Sequence, residues 1–228
     1  MSHLELGSAP FLRLLQLVSP TLPIGTFAYS HGLEAAVEVG LVGDAETAAS
    51  WVEGILWSCL RTWEIPMLVR LRNAFETNDL GAVRRWNDRL FASRPTSELV
   101  EEDRQLGLAL ARVLAQLGVT ESETWRTEPK VTYEAMFALA CARWSIPADV
   151  AVRAYAFGVC EMLIGAATKL VPLGQSESQQ ILARLADVVG SAADDGVPLA
   201  DDDMSSFAPG HAMASARHET QYTRLFRS

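Results

Sequence analysis

Residues 99–117, LVEEDRQLGLALARVLAQL, decide the fold. Their apolar positions Leu99, Leu106, Leu110, Val113, Leu114 and Leu117 recur at the spacings of one face of an α-helix. Working outward, Val52, Ile55, Leu56, Cys59 and Trp63 form a second such stripe. Tyr133, Met136, Phe137, Ala140 and Trp144 form a third, and Ile181, Leu182, Leu185, Val188 and Val189 a fourth. Nothing alternates at period two, so the expected fold is all-α, a helical bundle of roughly eight to ten helices. Local punctuation agrees. Asp44 is placed to cap a long helix that Pro66 should kink or split, Thr96 starts another, and Ser176 with Gln179 has capping-box spacing.

The chain of 228 residues is long enough to bury a substantial core, and the short connections before residue 190 point to one domain over residues 1–228. From Ser191 to Pro209 the turn formers Asp194, Asp195, Gly196, Pro198, Asp201, Asp202 and Asp203 replace the apolar stripe, which predicts a flexible loop over 191–209 feeding a terminal segment, 210–228. Those five aspartates lack the ligand spacing of a calcium loop and read as a solvated turn. A net charge of −9 argues against a nucleic-acid partner, which needs a basic footprint. Three scattered cysteines, Cys59, Cys141 and Cys160, suggest reduced buried thiols and a cytoplasmic protein, and the start carries no secretory pattern. The apolar window from Val150 to Val171 holds Arg153, Glu161 and Lys169, which makes a membrane span too costly.

No phosphate loop, nucleophile elbow, HExxH or GxGxxG sequence is present, which lowers the expectation of an enzyme. The other reading is an α-helical metal-dependent enzyme built on His31, Glu34 and Glu161. His31, Glu34 and Glu38 share a helix face, but the Glu-x-x-His pairs of di-metal bundles are missing, so a polar helix face is the plainer account. Glu161 projects from the small-residue stripe Ala154, Gly158 and Gly165, near the rim of a bundle helix. Lys169 follows that helix, where a cation suits the negative C-terminal end or a partner. Phe27 and Tyr29 lie between a Pro/Gly turn and Glu34, giving aromatic area beside an acidic anchor. Arg217, His218, Glu219, Tyr222, Arg224, Phe226 and Arg227 form a polar-aromatic tail suited to folding against a partner.

Three segments, LLQLVSPTLPIGTFAYSHGLE at 14–34, KLVPLGQ at 169–175 and SARHETQYTRLFRS at 215–228, together resemble the UreF family of urease accessory proteins. The resemblance implies an all-helical, usually dimeric, non-catalytic scaffold. It would join a UreD/UreH-type protein through its terminal segments and recruit a UreG-type GTPase for nickel insertion into apo-urease. No cofactor would be bound stably, nickel being handled by the assembled complex. By motif position, Phe27, Glu34, Lys169 and Arg224 fall to the GTPase-facing surface, and residues 217–227 to the segment ordered by the UreD/UreH-type partner. Phe27 stands where some members carry Tyr, which removes any role for a phenolic hydroxyl there. Arg224 would be the first suspect if the protein also accelerated GTP hydrolysis.

Overall fold

A computed structural model describes residues 7–228 and contains ten α-helices and no strand among them. They are α1 (Ser8–Leu17), α2 (Leu33–Glu38), α3 (Ala45–Ile55), α4 (Ile65–Glu76), α5 (Leu80–Ser93), α6 (Ser97–Gln116), α7 (Tyr133–Arg143), α8 (Ala148–Leu170), α9 (Gln175–Gly196) and α10 (Pro209–His218). The four sequence stripes all face inward. Val52, Ile55, Leu106, Leu110, Phe137, Leu182 and Leu185 join one cluster of buried side chains that extends from Leu14 to Phe226. Helix α7 is enclosed on every side: residues 134–141 are all buried, which places it at the centre, against α4 and α6. Helix α8 packs against α9, α4 and α3, as a core helix of this bundle.

The Asp44 cap forms as its sequence suggests. Asp44 accepts from the Thr47 amide at 2.9 Å, and the Thr47 hydroxyl closes a capping box. Pro66, expected to kink or split this helix, does not split it. Residues Leu56–Glu64 widen into a π-helix that joins α3 to α4 without a break, with the Ile65 amide reaching back to the Leu60 carbonyl. A proline has no N–H to give its preceding turn, so the carbonyls below it are free. The amide of Ser205 fills Thr62 at 3.2 Å. The carbonyl of Arg61 lies where a Cβ on Gly196 would come within 2.6 Å, so only glycine lets α9 approach the widened turn this closely.

That contact corrects the loop expected over 191–209. Helix α9 continues through Gly196, with Ala192, Ala193 and Gly196 buried, so residues 191–196 are helical; only the stretch after them is irregular, around a short turn at Asp201–Asp203. The cap assigned to Ser176 also moves: Gly174 is the N-cap of α9, and Ser176 sits inside the first turn. All three cysteines are free and buried, and burial pushes the Cys59 and Cys160 thiols up to about 12.

Candidate partner-binding site

The Pro20–Gly25 turn leads into a single 3₁₀ turn at Thr26–Ala28, and then His31 (φ 51°) and Gly32 (φ 73°) reverse the chain in the left-handed region. Gly32 is required twice over. Its φ suits glycine, and a Cβ there would meet the Ser215 amide nitrogen at 2.8 Å, so α10 lies directly on it. The reversal aims α2 so that Glu34 points inward rather than to solvent.

Glu34 receives the end of the chain. Its two carboxylate oxygens accept from the Leu225 amide at 2.6 Å and the Phe226 amide at 2.9 Å, and its Oε2 lies 3.2 Å from His218 Nε2. His218 is fully buried, and its Nδ1 faces Glu98 Oε2 at 2.6 Å. Both ring nitrogens therefore meet carboxyl oxygens. Glu98 also pairs with Arg224, and Glu102, one helical turn on, holds His31 at 2.6 Å and the Ser228 hydroxyl. The Ser228 carbonyl accepts from the Ser30 amide at 2.9 Å and hydroxyl at 2.6 Å, and the Arg227 amide donates to Ala28 at 2.9 Å. Glu219 caps α6, accepting from the Ser97 amide at 2.9 Å; the Ser97 hydroxyl and these amides hold its carboxyl below the usual range.

One turn of α6 links this clasp to the core. Asp103, next to Glu102, accepts from Arg94 Nε at 2.9 Å and from the Tyr133 amide at 2.7 Å. The same guanidinium donates to Glu64 at 3.1 Å and Glu134 at 2.6 Å, and the Tyr155 hydroxyl donates to Glu134 at 2.7 Å. Three buried carboxylates share one cation. Burial pushes Asp103 up to about 7 and raises Glu64, whereas Arg94 and the Tyr155 hydroxyl overcome desolvation to hold Glu134 low. The three titrate as a unit that retains a proton towards neutrality.

The residues picked out in the sequence thus divide into two sets. Tyr29, Glu34, His218 and Phe226 are buried and hold the clasp together. Phe27, at 72% exposure, and the fully exposed Tyr222 face outward together with Leu225, as do Arg217, Arg224 and Lys169. The Lys169 ammonium stands 5.3 Å above the Phe226 ring, a cation–π contact that seats it over the clasp. The tail that reads as awaiting a partner is held by contacts within the chain. His31, Glu34 and Glu161 do not form one ligand set: Glu34 binds the chain end, His31 binds Glu102, and His31 and Glu161 both line a cavity of about 640 Å³ that Gly158 and Gly165 border and Glu34 does not reach. Among the described residues no group of three or more His, Cys, Asp or Glu side chains is arranged to hold a metal. Gly165 is exposed with no atom within 4 Å of a Cβ position, so the small-residue stripe borders that cavity rather than a dry helix seam.

Sequence reasoning missed Glu98, Glu102, Ser228 and the Arg94 cluster. Glu98 and Glu102 carried a signal, since two like charges one turn apart on a helix call for cations between them.

The UreF family model matches residues 42–186. The chain is 48% identical to the urease accessory protein UreF of Alkalilimnicola ehrlichii over 95% of each chain, and 40% identical to that of Hahella chejuensis over 95% of this chain and 97% of the relative. A third relative, the urease accessory protein UreF of Azoarcus sp., is 42% identical over 97% of each.

Proposed function

The chain belongs to the UreF family of urease accessory proteins, and from that premise we propose that it is a non-catalytic scaffold for urease maturation. As a homodimer in the cytoplasm, it joins a UreD/UreH-type protein and recruits a UreG-type GTPase, so that nickel is delivered to apo-urease as cargo of the assembly. The observation that supports this reading most is the clasp. It spends buried charge on fixing the chain end in place, and in doing so sets Tyr222 and Leu225 outward; the Arg227–Ala28 hydrogen bond draws this segment alongside the exposed Phe27. A rigid aromatic and aliphatic patch beside Lys169 and Arg224 is the composition of a protein interface. Arg224 is committed to Glu98, which favours a structural role for it over a finger inserted into a GTPase site.

The family-level role is tested with apo-urease, nickel, GTP, the UreD/UreH-type protein and the UreG-type GTPase, with and without this chain. Urease activity is expected only when the chain is present. Equal activation in its absence would overturn the scaffold reading.

A further inference from the structure

The outer face of α5 carries an arrangement of charge that nothing in the clasp uses. Trp86 lies beneath three guanidinium groups, with the Arg70, Arg85 and Arg89 carbons 5.6, 5.5 and 5.1 Å from its ring centroid; Arg89 also stands 5.6 Å from Trp63. Arg70 is spoken for, bonded to Asp201 and to the Leu199 carbonyl. Arg84, Arg85 and Arg89 are exposed and form no ion pair or side-chain hydrogen bond with the described residues. Asp88, on the same helix, pairs with none of them.

Outside α5, Arg61, Arg70, Arg72, Arg94, Arg104, Arg126, Arg143, Arg153 and Arg224 reach carboxylates, whereas Arg13, Arg112, Arg184, Arg217 and Arg227 reach none among the described residues. What sets α5 apart is that its unpaired arginines are clustered around one indole. Arg85 and Arg89 are like charges one turn apart, which weakens an isolated helix. Contact with the Trp86 ring holds both guanidinium groups near one place while leaving their N–H forks unused, which lowers the ordering cost of binding an anion.

We propose that this face of α5 docks an acidic segment of a partner protein, through two carboxylates spaced about one helical turn apart, each received by the fork of Arg85 or Arg89. Arg84 adds a third positive charge at the edge. A nucleic acid fits less well, because a molecule with a net charge of −9 repels a long polyanion and three cations release few counterions. The site is independent of the clasp and of the scaffold reading.

The test titrates hexaglutamate peptide into the full chain at low ionic strength, following tryptophan emission and heat. Saturable binding is expected that weakens with salt. Affinity should fall at least fivefold in the double variant Arg85→Ser/Arg89→Ser, and partly in Arg85→Lys/Arg89→Lys, which keeps the charge and loses the fork. Arg184→Ser, an exposed arginine on α9, should leave it unchanged, with thermal melts confirming that each variant is folded. No binding at low salt, equal binding by the double serine variant, an equal loss in Arg184→Ser, or displacement of the peptide by duplex DNA at equal charge concentration would each overturn the proposal.

Discussion

Arg94→Met is expected to cost about 3–5 kcal/mol at pH 7.5, because it leaves three buried carboxylates without their shared cation. Glu64, Asp103 and Glu134 surround that guanidinium, and the outer oxygens of Glu64 and Glu134 already lack a partner among the described residues. The sign with pH follows from burial. A carboxyl whose folded pKa is raised is most favourable to the fold below its unfolded value, about 4, and loses stability as pH rises through the folded value. Asp103, pushed up to about 7, sets that window in the native protein, and removing Arg94 takes away a cation that lowers all three groups, Glu134 included. The deficit of the variant should therefore be small at pH 5 and largest above pH 7. His211, held down to about 4 by desolvation first and then by His31 and Arg94, acts in the opposite sense between about 4 and 6.5, so the difference between the two proteins is the quantity to follow. Urea unfolding at pH 5 and 7.5 measures it. A deficit equal at both values would show that Arg94 acts through packing alone.

Glu34→Ala should open the clasp while leaving the bundle folded. The substitution strands the amides of Leu225 and Phe226 and removes one of the two carboxyl partners of the fully buried His218. A buried donor left without its acceptor costs about 1–3 kcal/mol, and the substitution strands two such amides at once. Hydrogen exchange at the 225 and 226 amides is expected to accelerate at least a hundredfold, with core amides in α7 unchanged. Lys169→Ala, which removes an exposed cation–π contact worth about 0.5–1 kcal/mol, should produce only a small change at the same amides. Unaltered protection in Glu34→Ala would mean that the chain end is held by its apolar contacts and not by this carboxylate.

The helices were legible because their signals are local: apolar stripes at helical spacing and a cap such as Asp44 lie within a few residues of the structure they specify. The last turns of α9 escaped because Ala192, Ala193 and Gly196 continue the stripe of Leu185 and Val189 with side chains too small to register as apolar, though packing against Arg61 needs Gly196 to be small. The candidate site was half legible. Glu34, His218 and Arg224 were marked by motif resemblance, but the pairs they form, Glu34 with His218 and Arg224 with Glu98, join positions far apart in the chain, which no periodicity encodes. Asp103 was the readable hint of the Arg94 cluster. It falls four residues after Leu99 and three before Leu106, on the buried stripe of α6, where a carboxylate needs a cation.

The proposal that the clasp presents a partner surface meets its most direct test in size-exclusion light scattering of the chain with the UreD/UreH-type protein and the GTP-loaded UreG-type GTPase. The comparison is between wild type and Tyr222→Ser/Leu225→Ser, two side chains that contribute exposed area and no clasp hydrogen bond. Wild type is predicted to co-migrate with both partners and the variant, equally stable, to lose at least one of them. Co-migration of the variant at wild-type stoichiometry would contradict the assignment of this surface.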